Sequence, residues 1–173
     1  MAGRIGRFFR HLWFDETHAR RAVPPAMAER LKGRVAASEQ RHSGQIRICV
    51  EAGLPLHLLW RDHTTRALTH ARALAVFSEL RVWDTEHDNG VLIYLLLAER
   101  AIEIVADRGL ARHVAPQTWH ELIQRMGGAL RKGRFEDGLT QALGEVSALL
   151  VAYFPRVPGQ PQPNELPDAP VLR

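Results

Sequence analysis

The chain has 173 residues, a length that suits one domain with a single hydrophobic core. Hydrophobic residues make up 46% of the sequence and charged residues 24%, which is typical of a globular protein and excludes a disordered chain or a membrane bundle. The net charge of +4 is too small for a nucleic-acid-binding surface, so we expect no nucleic-acid partner.

Residues 1–23 form a basic and aromatic arm before the predicted domain. Arg7 and Arg10 lie three residues apart beside Phe9 and Trp13. One interpretation is an arm packed on the core through its aromatic side chains. The other is a segment that binds a membrane surface or an unknown protein partner, because basic residues beside aromatic ones suit an anionic interface.

The arm's apolar pieces are too short for the core of a signal peptide. No stretch of the chain reaches the ~18–20 apolar residues that a transmembrane helix needs. We therefore expect a cytoplasmic protein, which is peripheral to the inner face of a membrane if the arm binds there.

The first part of the domain, which begins at residue 24, is predicted to contain a helix, a strand and a second helix. The helix opens at Pro24-Pro25. Gln45–Glu51 alternates between an apolar and a mixed face, which predicts a strand. The second helix follows Asp62, its predicted N-cap, and ends near Arg81. Its inner side is predicted to consist of Ala67, Leu68, Ala71, Leu74, Ala75 and Ser78.

The middle of the chain predicts a β-hairpin. Residues 91–97 are seven apolar, mostly β-favouring residues after an Asn-Gly turn, so we expect a buried central strand. Three residues then reverse the chain, and Ala101–Ala106 alternates as an antiparallel partner. The helical crossover between Gln45–Glu51 and 91–97 makes those two strands parallel.

Two more helices complete the predicted domain. One starts at Pro116 and ends at Arg131-Lys132-Gly133, and the other runs from Phe135 to just before Pro155. Residues 156–173 are rich in proline and poor in apolar side chains, which predicts a flexible or extended tail that forms no packed element.

The order of these pieces resembles a known family. Four motifs occur in sequence: Ser43-Gly44-Gln45-Ile46-Arg47-Ile48, Asp88-Asn89-Gly90-Val91-Leu92, Ile102-Glu103-Ile104 with Gly109-Leu110 after it, and Phe135-Glu136-Asp137-Gly138-Leu139. Together they resemble the TPM domain over residues 24–155. The resemblance implies an α/β fold, a three-layer α/β/α sandwich. Its small mixed sheet would have three or four strands, with 91–97 central, and about four flanking helices. The resemblance also implies a binding module near a membrane or a membrane-protein complex, with divalent-metal binding in some members and acid phosphatase activity in a plant member.

The predicted topology brings polar residues to one edge of the sheet. Asp84, Glu86 and Asp88 precede the central strand, and Asp107 follows its hairpin partner. Carboxylates gathered in one place repel each other unless a cation binds them, and oxygen ligands suit Ca²⁺ or Mg²⁺. The alternative interpretation is a solvated loop with Arg108 as the counter-ion. The family resemblance carries over only Asp88 as a site position, and nothing in the sequence implies an organic cofactor.

Phosphatase chemistry is the alternative function. Cys49 is the single cysteine, so the chain has no internal disulfide. No arginine follows it six residues later, as a cysteine nucleophile of a phosphatase would need, and we interpret Cys49 as a small side chain of a strand. A hydrolase would therefore need a metal-activated water, with His42 or His87 in proton transfer. This alternative is a metal-dependent acid phosphatase at the acidic edge.

Overall fold

A four-stranded mixed sheet forms the middle layer of the computed structural model. The strands are β1 (Gln45–Glu51), β2 (Gly90–Leu96), β3 (Ala101–Ala106) and β4 (Val171–Leu172). Their order is β3-β2-β1-β4. β1 is parallel to β2 and β4, whereas β3 is antiparallel to β2. The predicted bounds of β1 and β3 are confirmed, and β2 begins and ends one residue earlier than predicted.

The structure describes residues 2–61, 63–159, 161 and 163–173, and only the backbone of residues 2–5 and 7. The described α-helices are α1 (Ala2–Trp13), α2 (Glu16–Ala22), α3 (Pro25–Glu39), α4 (Leu56–Leu59), α5 (Thr65–Glu79), α6 (Arg108–Ala111), α7 (Pro116–Arg131) and α8 (Phe135–Tyr153). The four predicted helices are the long ones, α3, α5, α7 and α8. The predicted cap Asp62 lies outside the described residues, and Thr64 caps α5 by accepting a hydrogen bond from Ala67 N at 3.2 Å.

Two apolar layers cover the two faces of the sheet, as the sandwich prediction requires. One layer joins Ile46, Ile93 and Ile104 of the strands to buried residues of α2, α3, α7 and α8. The other joins Leu92 and Val105 to α4 and α5. Every residue of β2 is buried, because helices cover both faces of this strand.

Helix α5 turns a different face to the sheet from the one predicted. Its buried residues are Leu68, Thr69, Ala73 and Val76, whereas Leu74 is exposed. The prediction was wrong because it followed the stripe of small residues Ala67, Ala71 and Ala75, all of which are exposed. Arg72 lies on the inner side, where it pairs with Glu51 of β1, and this ion pair fixes the rotation of the helix.

The end of the chain supplies the fourth strand. Gln45 Oε1 accepts hydrogen bonds from the N–H groups of Glu165 and Leu166, each at 3.0 Å. Arg173 N then donates to the Val50 carbonyl at 2.9 Å. The expectation that the tail forms no packed element is therefore wrong for residues 165–173. Backbone hydrogen bonds hold this segment, and they leave little apolar signature in the sequence.

The N-terminal arm packs on the domain through a buried histidine. His11 Nδ1 accepts a hydrogen bond from Leu54 N at 3.0 Å, and its Nε2 bonds Glu99 Oε1 at 2.9 Å. The half-buried Phe8 ring contacts the Trp60 ring, with centroids 5.4 Å apart. Within the described part of the chain, no helix has the length and apolar content needed to cross a membrane.

Candidate functional site

The beginning of β2 and the end of β3 meet at one edge of the sheet, as the topology predicted. Asp107 N donates to the Gly90 carbonyl at 2.8 Å, which extends the β2–β3 ladder by one pair. Asn89 Nδ2 donates to Ser43 Oγ at 3.3 Å, so the residue before β2 also contacts the segment that leads into β1. Three chain segments therefore contribute to this edge, which we call the β2–β3 edge.

Glycines allow these segments to approach each other closely. A Cβ atom on Gly109 would lie 2.4 Å from the Asp88 carbonyl oxygen, which instead accepts a hydrogen bond from Gly109 N at 2.9 Å. Asp88 has a φ of 51°, in the left-handed region that short polar side chains tolerate. The Asp-Asn-Gly motif therefore builds a tight turn against the start of α6.

Two of the four predicted acidic side chains are paired with nearby arginines. Arg108 Nη2 donates to Asp88 Oδ1 at 2.9 Å, and this hydrogen bond holds the pKa of Asp88 below its usual range. Asp84 forms an ion pair with Arg81. The counter-ion role that the sequence offered for Arg108 is thus observed, specifically for Asp88.

The other two acidic residues differ in their surroundings. Glu86 is exposed, and its backbone N–H donates to Glu165 Oε2 at 2.8 Å. Asp107 caps α6, since its Oδ1 accepts a hydrogen bond from Arg108 N at 2.7 Å. In the part of the chain that the structure describes, no three His, Cys, Asp or Glu side chains lie close enough to hold a metal ion.

Two buried oxygens at the β2–β3 edge have no hydrogen-bond partner. Among the buried side-chain nitrogen and oxygen atoms of the described residues, these are Asn89 Oδ1 and Asp107 Oδ2. Asp107 donates the backbone hydrogen bond to the Gly90 carbonyl, and Asn89 directly precedes Gly90 and is fully buried. An unsatisfied buried acceptor costs about 1–3 kcal/mol. Amide and carboxylate oxygens are the ligand types that Ca²⁺ and Mg²⁺ prefer.

The two histidines proposed for proton transfer have opposite environments. His42 is fully buried, and its Nδ1 donates to the Gly44 carbonyl at 3.0 Å while Ser38 Oγ donates to its Nε2 at 2.9 Å. Burial lowers the pKa of His42 to about 4, which keeps the ring neutral. His87 is exposed and lines a cavity of about 300 Å³ beside the edge, together with Glu86 and Glu165.

A buried charged network lies at the opposite end of β1 and was not predicted. Arg72 Nε and Nη2 donate to Glu51 at 2.9 Å, and Tyr94 Oη donates to Glu51 Oε2 at 2.6 Å. Burial raises the pKa of the neighbouring Cys49 thiol to about 12, which suits the inert strand side chain predicted for it. The sequence signal for this network was Glu51, because an acidic side chain buried on a strand requires a positively charged or hydrogen-bonding partner.

Comparison with known proteins supports the fold. The sequence model of the TPM domain matches residues 21–149. The NMR structure of the BA42 protein from the psychrophilic bacterium Bizionia argentinensis sp. nov. is similar, with a TM-score of 0.66 and 24% sequence identity. The similarity covers 83% of this chain and 90% of the BA42 chain, and it shows a shared fold. No curated protein matches the chain.

Proposed function

Because the chain belongs to the TPM domain family, we propose that it is a binding module that holds Ca²⁺ or Mg²⁺ at the β2–β3 edge. The observation that carries the proposal is the pair of buried, unpartnered oxygens, Asn89 Oδ1 and Asp107 Oδ2. The Asp88 carboxylate and water molecules would complete the ligand set. Few protein ligands and loop positions imply weak binding.

The cation has to compete with Arg108 for Asp88. Their ion pair is largely solvent-exposed, with 69% of the Arg108 side chain and 37% of the Asp88 side chain accessible. Exposed pairs of this kind contribute only about 0–1 kcal/mol, so the pair opposes the cation weakly. Arg108 therefore limits the affinity of the site without blocking it.

Replacing Asp107 with asparagine is expected to weaken cation binding about tenfold or more, a loss of about 1.4 kcal/mol. The substitution removes the negative charge of a ligand, while asparagine still caps α6. Arg108→Gln is expected to strengthen binding, because it removes the charge that competes for Asp88. Isothermal titration calorimetry with Ca²⁺ and Mg²⁺ measures both effects.

Asp84→Asn is the matched control for this titration. It also removes one negative charge, in the loop that precedes β2, but Asp84 pairs with Arg81 and lies outside the proposed ligand set. We expect its affinity to equal that of the wild type. Equal binding by wild type and Asp107→Asn would show that the ligand set is wrong.

We also propose that the module attaches to an anionic membrane surface, such as the inner face of a membrane. Phe9 and Trp13, at 63% and 78% exposure, lie on the outer side of α1 while His11 docks the helix. Leu12 of α1, Leu56 of α4 and Trp60, which directly follows α4, are exposed as well. Apolar rings beside basic residues insert shallowly into anionic interfaces. The half-exposed Arg10 guanidinium pairs with Glu99 Oε2 at 3.1 Å, which neutralises part of its charge, and the Arg7 side chain lies outside the described residues.

The double variant Phe9→Ser and Trp13→Ser is expected to lose most of its cosedimentation with phosphatidylserine-containing vesicles. Its melting temperature should stay close to that of the wild type, because neither side chain is buried. Trp83→Ser, which changes an exposed aromatic side chain outside α1 and α4, is the control and should sediment normally. Wild-type binding should fall as salt increases, since charges near the surface are screened. A double variant that sediments like the wild type would contradict the attachment.

The alternative function, a metal-dependent acid phosphatase, has weaker support from the geometry. Both ring nitrogens of His42 are engaged inside the protein, which leaves His87 as the exposed candidate for proton transfer. The cavity beside His87 is lined by two carboxylates, Glu86 and Glu165, and one arginine, Arg156, so the acidic groups that repel a phosphomonoester outnumber the arginine that attracts it. Hydrolysis of a phosphomonoester that His87→Ala abolishes would favour the enzyme over the binding module.

A further inference from the structure

Strand β3 is an outermost strand of the sheet, and the backbone groups on its free side are available for pairing. Because Asp107 N donates to the Gly90 carbonyl, every second residue back along β3 also faces β2. The intervening residues, Ile102, Ile104 and Ala106, therefore direct their N–H and C=O groups outward. None of these outward groups makes a hydrogen bond with any other residue that the structure describes.

A groove runs along this edge between α5 and α7. It consists of two cavities, of about 490 and 580 Å³, that follow the two halves of β3. Both cavities are lined by Arg66 of α5 and His120 of α7, which are joined by a hydrogen bond of 2.8 Å. This exposed side-chain bridge crosses the groove between the cavities. We call the whole feature the β3 groove.

The lining of the β3 groove has a polar and an apolar part. Leu74, Trp119 and Ile123 form apolar walls in the half near Ala106. The charged lining comprises three arginines, Arg66, Arg100 and Arg131, and a single acid, Glu103, which pairs with His70 at 3.1 Å. The groove therefore has a positive rim over an unpaired strand edge.

We propose that the β3 groove binds an extended acidic peptide segment of a partner protein, which pairs with β3 as a fifth strand. The outward backbone groups supply the hydrogen bonds, alternate apolar side chains of the peptide fill the groove, and its acidic side chains meet the arginines. A second copy of this chain fits less well, because its own β3 groove carries the same positive rim. The Arg66–His120 bridge opens when the peptide enters, and Arg66 then pairs with an acid of the peptide.

The probe is a fluorescein-labelled peptide of four Glu-Val repeats, and fluorescence anisotropy measures its binding to the full chain. We expect binding in the micromolar range. The same peptide with N-methyl groups on every second residue should bind at least tenfold more weakly, because it cannot complete the ladder with β3. A Lys-Val peptide of the same length should not bind.

Ala106→Pro tests whether the peptide binds at β3. The outward N–H of Ala106 takes no part in the ladder to β2, so proline, which edge strands tolerate, should leave the fold intact and remove the group that pairs with the peptide. We expect at least tenfold weaker binding for Ala106→Pro and for Arg100→Glu. Arg61→Glu is the matched charge reversal and lies outside the groove. It should bind like the wild type.

Three results would overturn the proposal: equal binding of the N-methylated and unmodified peptides to the wild type, normal binding by a folded Ala106→Pro variant, or Arg61→Glu weakening binding as much as Arg100→Glu. The first comparison uses only the wild-type protein, so it holds even if the proline variant does not fold. Dimerisation that Ala106→Pro abolishes in analytical ultracentrifugation would instead assign the groove to a second copy of the chain.

Discussion

Replacing Arg72 with leucine is expected to lower the free energy of unfolding by about 3–5 kcal/mol. Glu51 is almost fully buried, and Arg72 donates three hydrogen bonds to it while Tyr94 donates a fourth. Without the guanidinium group, the carboxylate stays buried without its counter-charge. Urea unfolding followed by circular dichroism measures the loss at neutral pH.

Arg20→Leu is the control for this substitution. Arg20 pairs with Glu16 one turn earlier on α2, and both side chains are more than half exposed. Exposed pairs of this kind contribute about 0.3–0.5 kcal/mol, so the control should unfold nearly like the wild type. If Arg72→Leu were equally mild, the buried network would not stabilise the fold in the way its geometry indicates.

Gly90→Ala is expected to cost on the order of 3 kcal/mol or more. The added Cβ would lie 1.9 Å from the backbone carbonyl oxygen of Val82, and a backbone atom cannot rotate out of the way as a side chain can. Relief would require β2 to move away from the turn before it, although Gly90 is paired with both β1 and β3. Urea unfolding also measures this effect.

Gly144→Ala provides the contrast with Gly90→Ala. Gly144 lies within α8, and an added Cβ would have no neighbour within 4 Å. Alanine there should stabilise the protein by roughly 0.5–1 kcal/mol, because it restricts the unfolded chain and favours the helix. Effects of equal size and sign at the two positions would contradict the packing described for the Asp-Asn-Gly turn.

The sequence predicted the elements whose own side chains carry the signal. Apolar and polar side chains alternate along Gln45–Glu51 and Ala101–Ala106. The apolar run 91–97 between them is buried on both faces only in the middle of the sheet. The long helices have apolar stripes over most of their length. Parallel and antiparallel pairing then followed from the chain's connections, which also brought Asp88 and Asp107 to one edge.

The missed features depend on partners that are distant in sequence. Val171–Leu172 is a strand only because β1 offers it a backbone edge, and composition carries no record of that edge. The rotation of α5 follows from Glu51, which lies 21 residues before Arg72. For the acidic edge, topology placed the residues correctly. The pairing of Asp88 with Arg108 and the unpartnered oxygen of Asn89 required side-chain positions.

Paramagnetic broadening by Mn²⁺, a hard cation that takes oxygen ligands, tests the proposed site most directly. In the ¹⁵N-labelled protein, substoichiometric Mn²⁺ is expected to broaden the backbone amide resonances of residues 88–90 and 107–109 and the side-chain amide of Asn89 before any others. A chelator should restore them. Broadening centred elsewhere, or uniform broadening that leaves these residues undistinguished, would contradict a cation site at the β2–β3 edge.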